Sequence, residues 1–98
     1  MTVTLNRNDT QLTVNIHGRL DTLTAPELEE KLEDALDGVE ELVFDLEGLK
    51  YISSAGLRVF LSVIKQMEEQ GEMKVKNVCS DVMEVFEVTG FTDLLNIE

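Results

Sequence analysis

Leu42-Val43-Phe44-Asp45-Leu46 and, five residues further on, Ile52-Ser53-Ser54-Ala55-Gly56-Leu57-Arg58 decide the fold of this chain. The first is a short apolar run with strand character. The second opens a stretch in which Leu57, Phe60, Leu61, Ile64 and Met67 recur at helical spacing. The reading is a strand over Glu41 to Leu46, a turn through Glu47-Gly48-Leu49-Lys50, and a helix to about Gln70 closed by Gly71. Two hydroxyls and a glycine therefore fall where a strand gives way to a helix. Unpaired backbone N–H groups and the positive end of the helix dipole favour an anion there, so a phosphoserine fits electrostatically. Serine is also among the best N-cap residues, and a cap alone accounts for one serine. At this level both readings stand.

Outward from that junction, Val3, Leu5, Leu12, Val14 and Ile16 alternate with polar residues around Asn8-Asp9, the pattern of two strands joined by a turn. Thr24 with Glu27 three residues later has the form of a capping box, and Pro26 suits a first helical turn. A helix is expected from Ala25 to Leu36, with Leu28, Leu32, Ala35 and Leu36 inward and Glu27 paired with Lys31 outside. Met73, Val75 and Asn77-Val78 supply a further strand, and Ser80 caps a helix from Asp81 to Val88 that ends at Gly90. Phe91 to Ile97 adds a helical turn or an edge strand. Strands alternating with helices imply an α/β fold, with a mixed sheet of four to five strands and helices mainly on one face. Functional groups then belong outside the carboxyl ends of the parallel strands, where Asp21, Asp45 and the two serines fall.

Ninety-eight residues make a single domain, residues 1–98, with one core. One cysteine, Cys79, allows no intramolecular disulfide, and no Cys/His cluster suggests zinc, so no metal and no cofactor is expected. The N-terminus lacks the features of a secretory signal, and no apolar run is long enough to span a bilayer, so a cytoplasmic setting is expected. Eight basic against twenty acidic residues give a formal net charge of −12, which disfavours nucleic acid and anionic membrane surfaces as partners. Acidic residues gather in Glu27 to Asp37 and Asp81 to Glu87; these are solvated helix faces or a field that steers a basic partner.

Little in the chain supports catalysis. His17, the only histidine, reads as a surface strand residue, and the serine segment lacks the Gly-x-Ser-x-Gly elbow of hydrolases. No Gly-rich loop ends in Lys-Ser or Lys-Thr to cradle a nucleotide phosphate. Asp21 and Asp45 have no partners at a spacing that suits metal binding or paired acid/base work; Asp21 serves a turn or a surface, and Asp45 marks the exposed end of its strand. Cys79 reads as a small buried residue. No catalytic residue is assigned.

Taken together, Gly18-Arg19-Leu20-Asp21, Val43-Phe44-Asp45-Leu46, Tyr51 to Val59 and Phe86-Glu87-Val88-Thr89-Gly90-Phe91 resemble the STAS domain of bacterial anti-sigma factor antagonists, over nearly the whole chain. The resemblance implies a STAS-like fold and a binding module rather than an enzyme. It also implies partner switching: the unphosphorylated form binds a kinase-type anti-sigma factor and releases the sigma factor, phosphorylation switches binding off, and a serine phosphatase resets the protein. The position matching the phosphorylated serine is Ser54. Asp21, Ser53, Ala55, Gly56 and Arg58 match the partner-binding surface. Regulated members of the family often carry Asp just before the phosphorylated serine, where this chain has Ser53. A STAS domain that serves assembly or sensing, without phosphorylation or with a target other than a sigma factor, is the alternative. A monomer is expected when the chain is free, because its helices are amphipathic rather than apolar all round.

Overall fold

The structure, a computed structural model, describes residues 1–98. Alternation of apolar and polar residues builds strands β1 (Thr2–Asn8) and β2 (Gln11–Leu20), an antiparallel hairpin closed by Asp9 in the left-handed region. The remaining elements are α1 (Ala25–Ala35), β3 (Glu41–Ile52), α2 (Ser54–Gln70), β4 (Glu72–Lys76) and α3 (Ser80–Thr89), followed by one 3₁₀ turn (Phe91–Asp93). The sheet has the order β1-β2-β3-β4, with β3 parallel to both β2 and β4. The tail, expected as a helical turn or an edge strand, is the 3₁₀ turn, and beyond it Ile97 makes a single parallel bridge to Val75 on the outer edge of β4.

β3 is the main departure from the sequence reading. It does not stop at Leu46 but continues through the expected turn to Ile52, so Asp45 lies within the strand rather than at its end. Two register shifts against β2 explain both facts: Asn15 pairs with Asp45 but His17 with Gly48, and Gly18 pairs with Leu49 but Arg19 with Tyr51. Each shift places an extra residue in β3, which resets its alternation. The β3 residues in the core cluster, Leu42, Phe44, Leu46, Leu49 and Ile52, are spaced by two, two, three and three, a pattern that reads as a broken strand although one face stays buried throughout. Gly48 permits the first shift because the His17 ring occupies the space where a Cβ would stand.

All three helices pack on one sheet face over a single cluster of 24 buried residues. Phe44 of β3 meets Phe60 of α2 edge to face at 4.8 Å, and Phe60 meets Phe86 of α3 at 6.1 Å. Leu28, Leu32 and Leu36 bring α1 onto the same core. The carbonyls at the end of α1 are satisfied from a distance. Arg7 of β1 donates to Asp37 O at 2.8 Å, and Gln70 of α2 donates to Leu36 O and Val39 O at 2.9 and 2.8 Å. Glu27 and Lys31 do not pair; the ion pairs are Arg19–Asp21 and Lys74–Glu98.

Candidate functional site

Parallel strands β2, β3 and β4 end side by side, and their loops gather beyond those ends. Leu20 and Ile52 are register partners, and the Ser53 amide donates to Leu20 O at 2.9 Å. That bond sets the loop carrying Asp21 beside the start of α2. Sequence reasoning placed Asp21, Ser53 and Ser54 together, and the sheet does bring them together.

The loop after β2 is held from within. The Asp21 carboxylate accepts from the amides of Leu23 and Thr24 at 3.0 and 3.1 Å. The Thr24 hydroxyl accepts from the Asp21 amide and donates to Arg19 O, both at 2.8 Å, and the Ala25 amide donates to Asp21 O at 2.8 Å. The expected capping box is therefore absent: the Thr24 side chain is turned back into the loop, and Asp21 takes the Thr24 amide that Glu27 would take in a capping box. The bond from the Thr24 amide, then that from Leu23, with Arg19 nearby, hold the Asp21 carboxyl below its ordinary pKa despite partial burial. Arg19 also stacks over Tyr51, 4.1 Å from the ring centre, which ties β2 to β3 just behind the loop.

Ser53 is the N-cap of α2 by backbone geometry, with φ −102° and ψ 177°, but its side chain makes no capping bond. Its Oγ is buried without a partner. Ser54 is the first residue of α2 and is exposed, so the two hydroxyls have opposite environments. Gly56 is buried with its α-carbon against Leu20 and Ile52, which lets the first turn of α2 sit low on the strand ends. Ala55 is half-buried, and Arg58 is exposed one turn beyond Ser54. Ser80 begins α3 instead of capping it; Cys79 is the cap residue, and its thiol donates to Leu49 O at 3.3 Å.

Asp45 does not join this cluster. Its carboxylate accepts from the Glu47 amide at 3.2 Å and from Asn77 Nδ2 at 3.0 Å, fixing the first shift in β3 to the end of β4. His17 alternates with the buried Ile16 and so stands on the sheet face away from the helices. No group of three or more His, Cys, Asp or Glu side chains lies together as a metal would need, and no helix is long and apolar enough to cross a membrane.

Three exposed apolar side chains near these loops were not singled out from sequence: Leu23 in the β2–α1 loop, 84% exposed, Val88 on α3, 80% exposed, and Tyr51, 40% exposed. Tyr51 and Val88 flank a groove of about 410 Å³ between the end of β3 and α3. Leu23, between two threonines in an otherwise polar loop, and Val88, off the Val82–Phe86 stripe, were the available signals. The strand ends thus carry one exposed serine at a helix start, with exposed apolar side chains in the β2–α1 loop and along α3.

The chain is similar to the anti-sigma-B factor antagonist of Bacillus subtilis (strain 168), being 32% identical over 96 residues that cover 97% of this chain and 88% of that protein. Its fold is similar to that of the anti-sigma factor antagonist SpoIIAA in the unphosphorylated form, with a TM-score of 0.85 at 19% identity, covering 99% of this chain and 88% of that one. The phosphorylated form of the Bacillus cell fate determinant SpoIIAA superposes with a TM-score of 0.76 at 18% identity, covering 99% and 91%. With the STAS domain profile matching residues 2–98, the chain belongs to the STAS domain family.

Proposed function

We propose that this protein is an anti-sigma factor antagonist that works by partner switching, with Ser54 as the switch. The observation that carries this reading is the contrast between the two serines: Ser54 is exposed at the start of α2, while the Ser53 hydroxyl is buried. A kinase can reach only the first without unfolding the junction. In its unphosphorylated form the rim formed by Asp21, Ser54, Ala55 and Arg58 docks on a kinase-type anti-sigma factor, which releases its sigma factor. Gly56 serves that contact from below, by setting the height of the helix. The kinase brings its own ATP, and the chain needs neither cofactor nor catalytic residue.

Phosphorylation adds roughly one and a half to two negative charges at neutral pH. The helix start accepts them without backbone movement, since free amides and the dipole favour an anion there. A partner that had docked on a neutral hydroxyl would have to desolvate a dianion, and the carboxylate of Asp21 in the neighbouring loop opposes it further. A serine phosphatase then restores the binding form. The test is intact mass after incubation with the host's kinase-type anti-sigma factors and ATP, with fragmentation to locate the phosphate. One phosphate on Ser54 supports the switch. A folded protein that no candidate kinase modifies overturns it, and assembly or sensing without phosphorylation becomes the better reading.

A further inference from the structure

On the reading that Ser54 carries the phosphate, we infer that Arg58 is its partner within the same chain. The guanidinium turns back along α2 to pair with the phosphate, so that phosphorylation also withdraws a cation from the docking rim. Ser54 opens α2 and Arg58 lies four residues on, and both are exposed. Residues at that spacing share a helix face with their Cβ atoms roughly 5–6 Å apart, and an acid placed N-terminal to its base is the favoured order. The turn that connects them is closed, the Leu57 amide donating to Ser53 O at 3.0 Å.

Arg58 is free for this role. The ion pairs of the molecule join Arg19 to Asp21 and Lys74 to Glu98, and the Arg58 side chain is in neither pair. No carboxylate is paired with Arg58. A guanidinium presents a planar fork that matches two phosphate oxygens, a geometry a lysine lacks. One positive charge only partly offsets a dianion, so the rim stays negative after pairing. The surface thus loses an exposed Arg and gains a phosphate in one event.

The experiment installs phosphoserine at position 54 during translation, without any kinase, and follows the second ionisation of the phosphate by ³¹P NMR. Three proteins are compared: the parent chain, Arg58→Ala, and Lys65→Ala, the last removing an exposed cation about 16 Å along the same helix. Arg58→Ala is expected to lower the acid dissociation constant of the phosphate about two- to fivefold, and Lys65→Ala to leave it unchanged. High salt should erase most of the difference. Titration of Arg58→Ala at the parent value overturns the inference, as does an equal shift in Lys65→Ala, which would reflect net charge alone. Because the phosphate is supplied with the residue, this result is independent of whether a kinase modifies Ser54.

Discussion

Gly56 on α2 lies so close to Leu20 at the end of β2 that a Cβ at position 56 would stand 2.7 Å from Leu20 Cγ, and 2.9 Å from Ile52 Cγ1. Both neighbours are core residues, at 0% and 2% exposure, and have little room to yield. Gly56→Val is therefore expected to destabilise the fold by about 2–3 kcal/mol through overpacking. Gly56→Ala should cost less, because alanine recovers up to about 1 kcal/mol of helix propensity. Urea denaturation of both variants checks this. Parent stability in the valine variant would show that the helix start is not held down at this point.

Ser54→Asp and Ser54→Ala should separate charge from shape. Ser54 is exposed, and both variants should fold as the parent does. Affinity for the anti-sigma factor, measured by calorimetry, is expected to fall at least about tenfold, or ~1.4 kcal/mol, in the aspartate variant and to stay within about twofold in the alanine variant. Equal affinities would reject an electrostatic switch.

Ser53 gives the opposite of what a capping serine would. Its hydroxyl is buried and unpaired, so removing it discards a desolvated polar group rather than a cap. Ser53→Ala should leave stability unchanged or raise it by up to about 1 kcal/mol, whereas loss of a working N-cap would cost about 1 kcal/mol. Chemical denaturation midpoints distinguish the two signs.

Asp21 predicts a pH dependence. Its carboxyl titrates lower in the folded chain than in the unfolded one, chiefly because the Thr24 amide donates to the charged form. The unfolded state thus binds the proton more readily. The stabilisation is fully present above the ordinary carboxylate pKa and is lost as pH falls through the depressed folded value. The difference in urea midpoint between the parent chain and Asp21→Asn should be larger at pH 7 than at pH 3. A difference independent of pH would assign Asp21 a role that does not involve its charge.

Much of this molecule was legible because its helices announce themselves. The apolar stripe from Leu57 to Met67 needed no tertiary knowledge, and once the start of α2 was located the position of Ser54 followed. β3 was cut short because its two register shifts convert a period of two into steps of three, and those shifts depend on β2 lying alongside. The loop-closing role of Asp21 was hidden for a similar reason: Thr24 has the capping signature, and only the closed loop shows its hydroxyl committed to Arg19 O. The burial that separates Ser53 from Ser54 could not be read from two adjacent serines. Leu23 and Val88 went unremarked because exposure of an apolar side chain is a property of the packed surface.

The short segment beside β4 has a consequence for how these molecules can associate. Val75 donates to Asn96 O at 2.9 Å and accepts from the Glu98 amide at 2.8 Å, so the outer side of β4 is already occupied there. β1 pairs only with β2, and its other side is open. Indefinite stacking of sheets edge to edge requires two open sides on every copy. With Val75 taken by the tail, β1 offers the longer open edge for any strand that would extend the sheet.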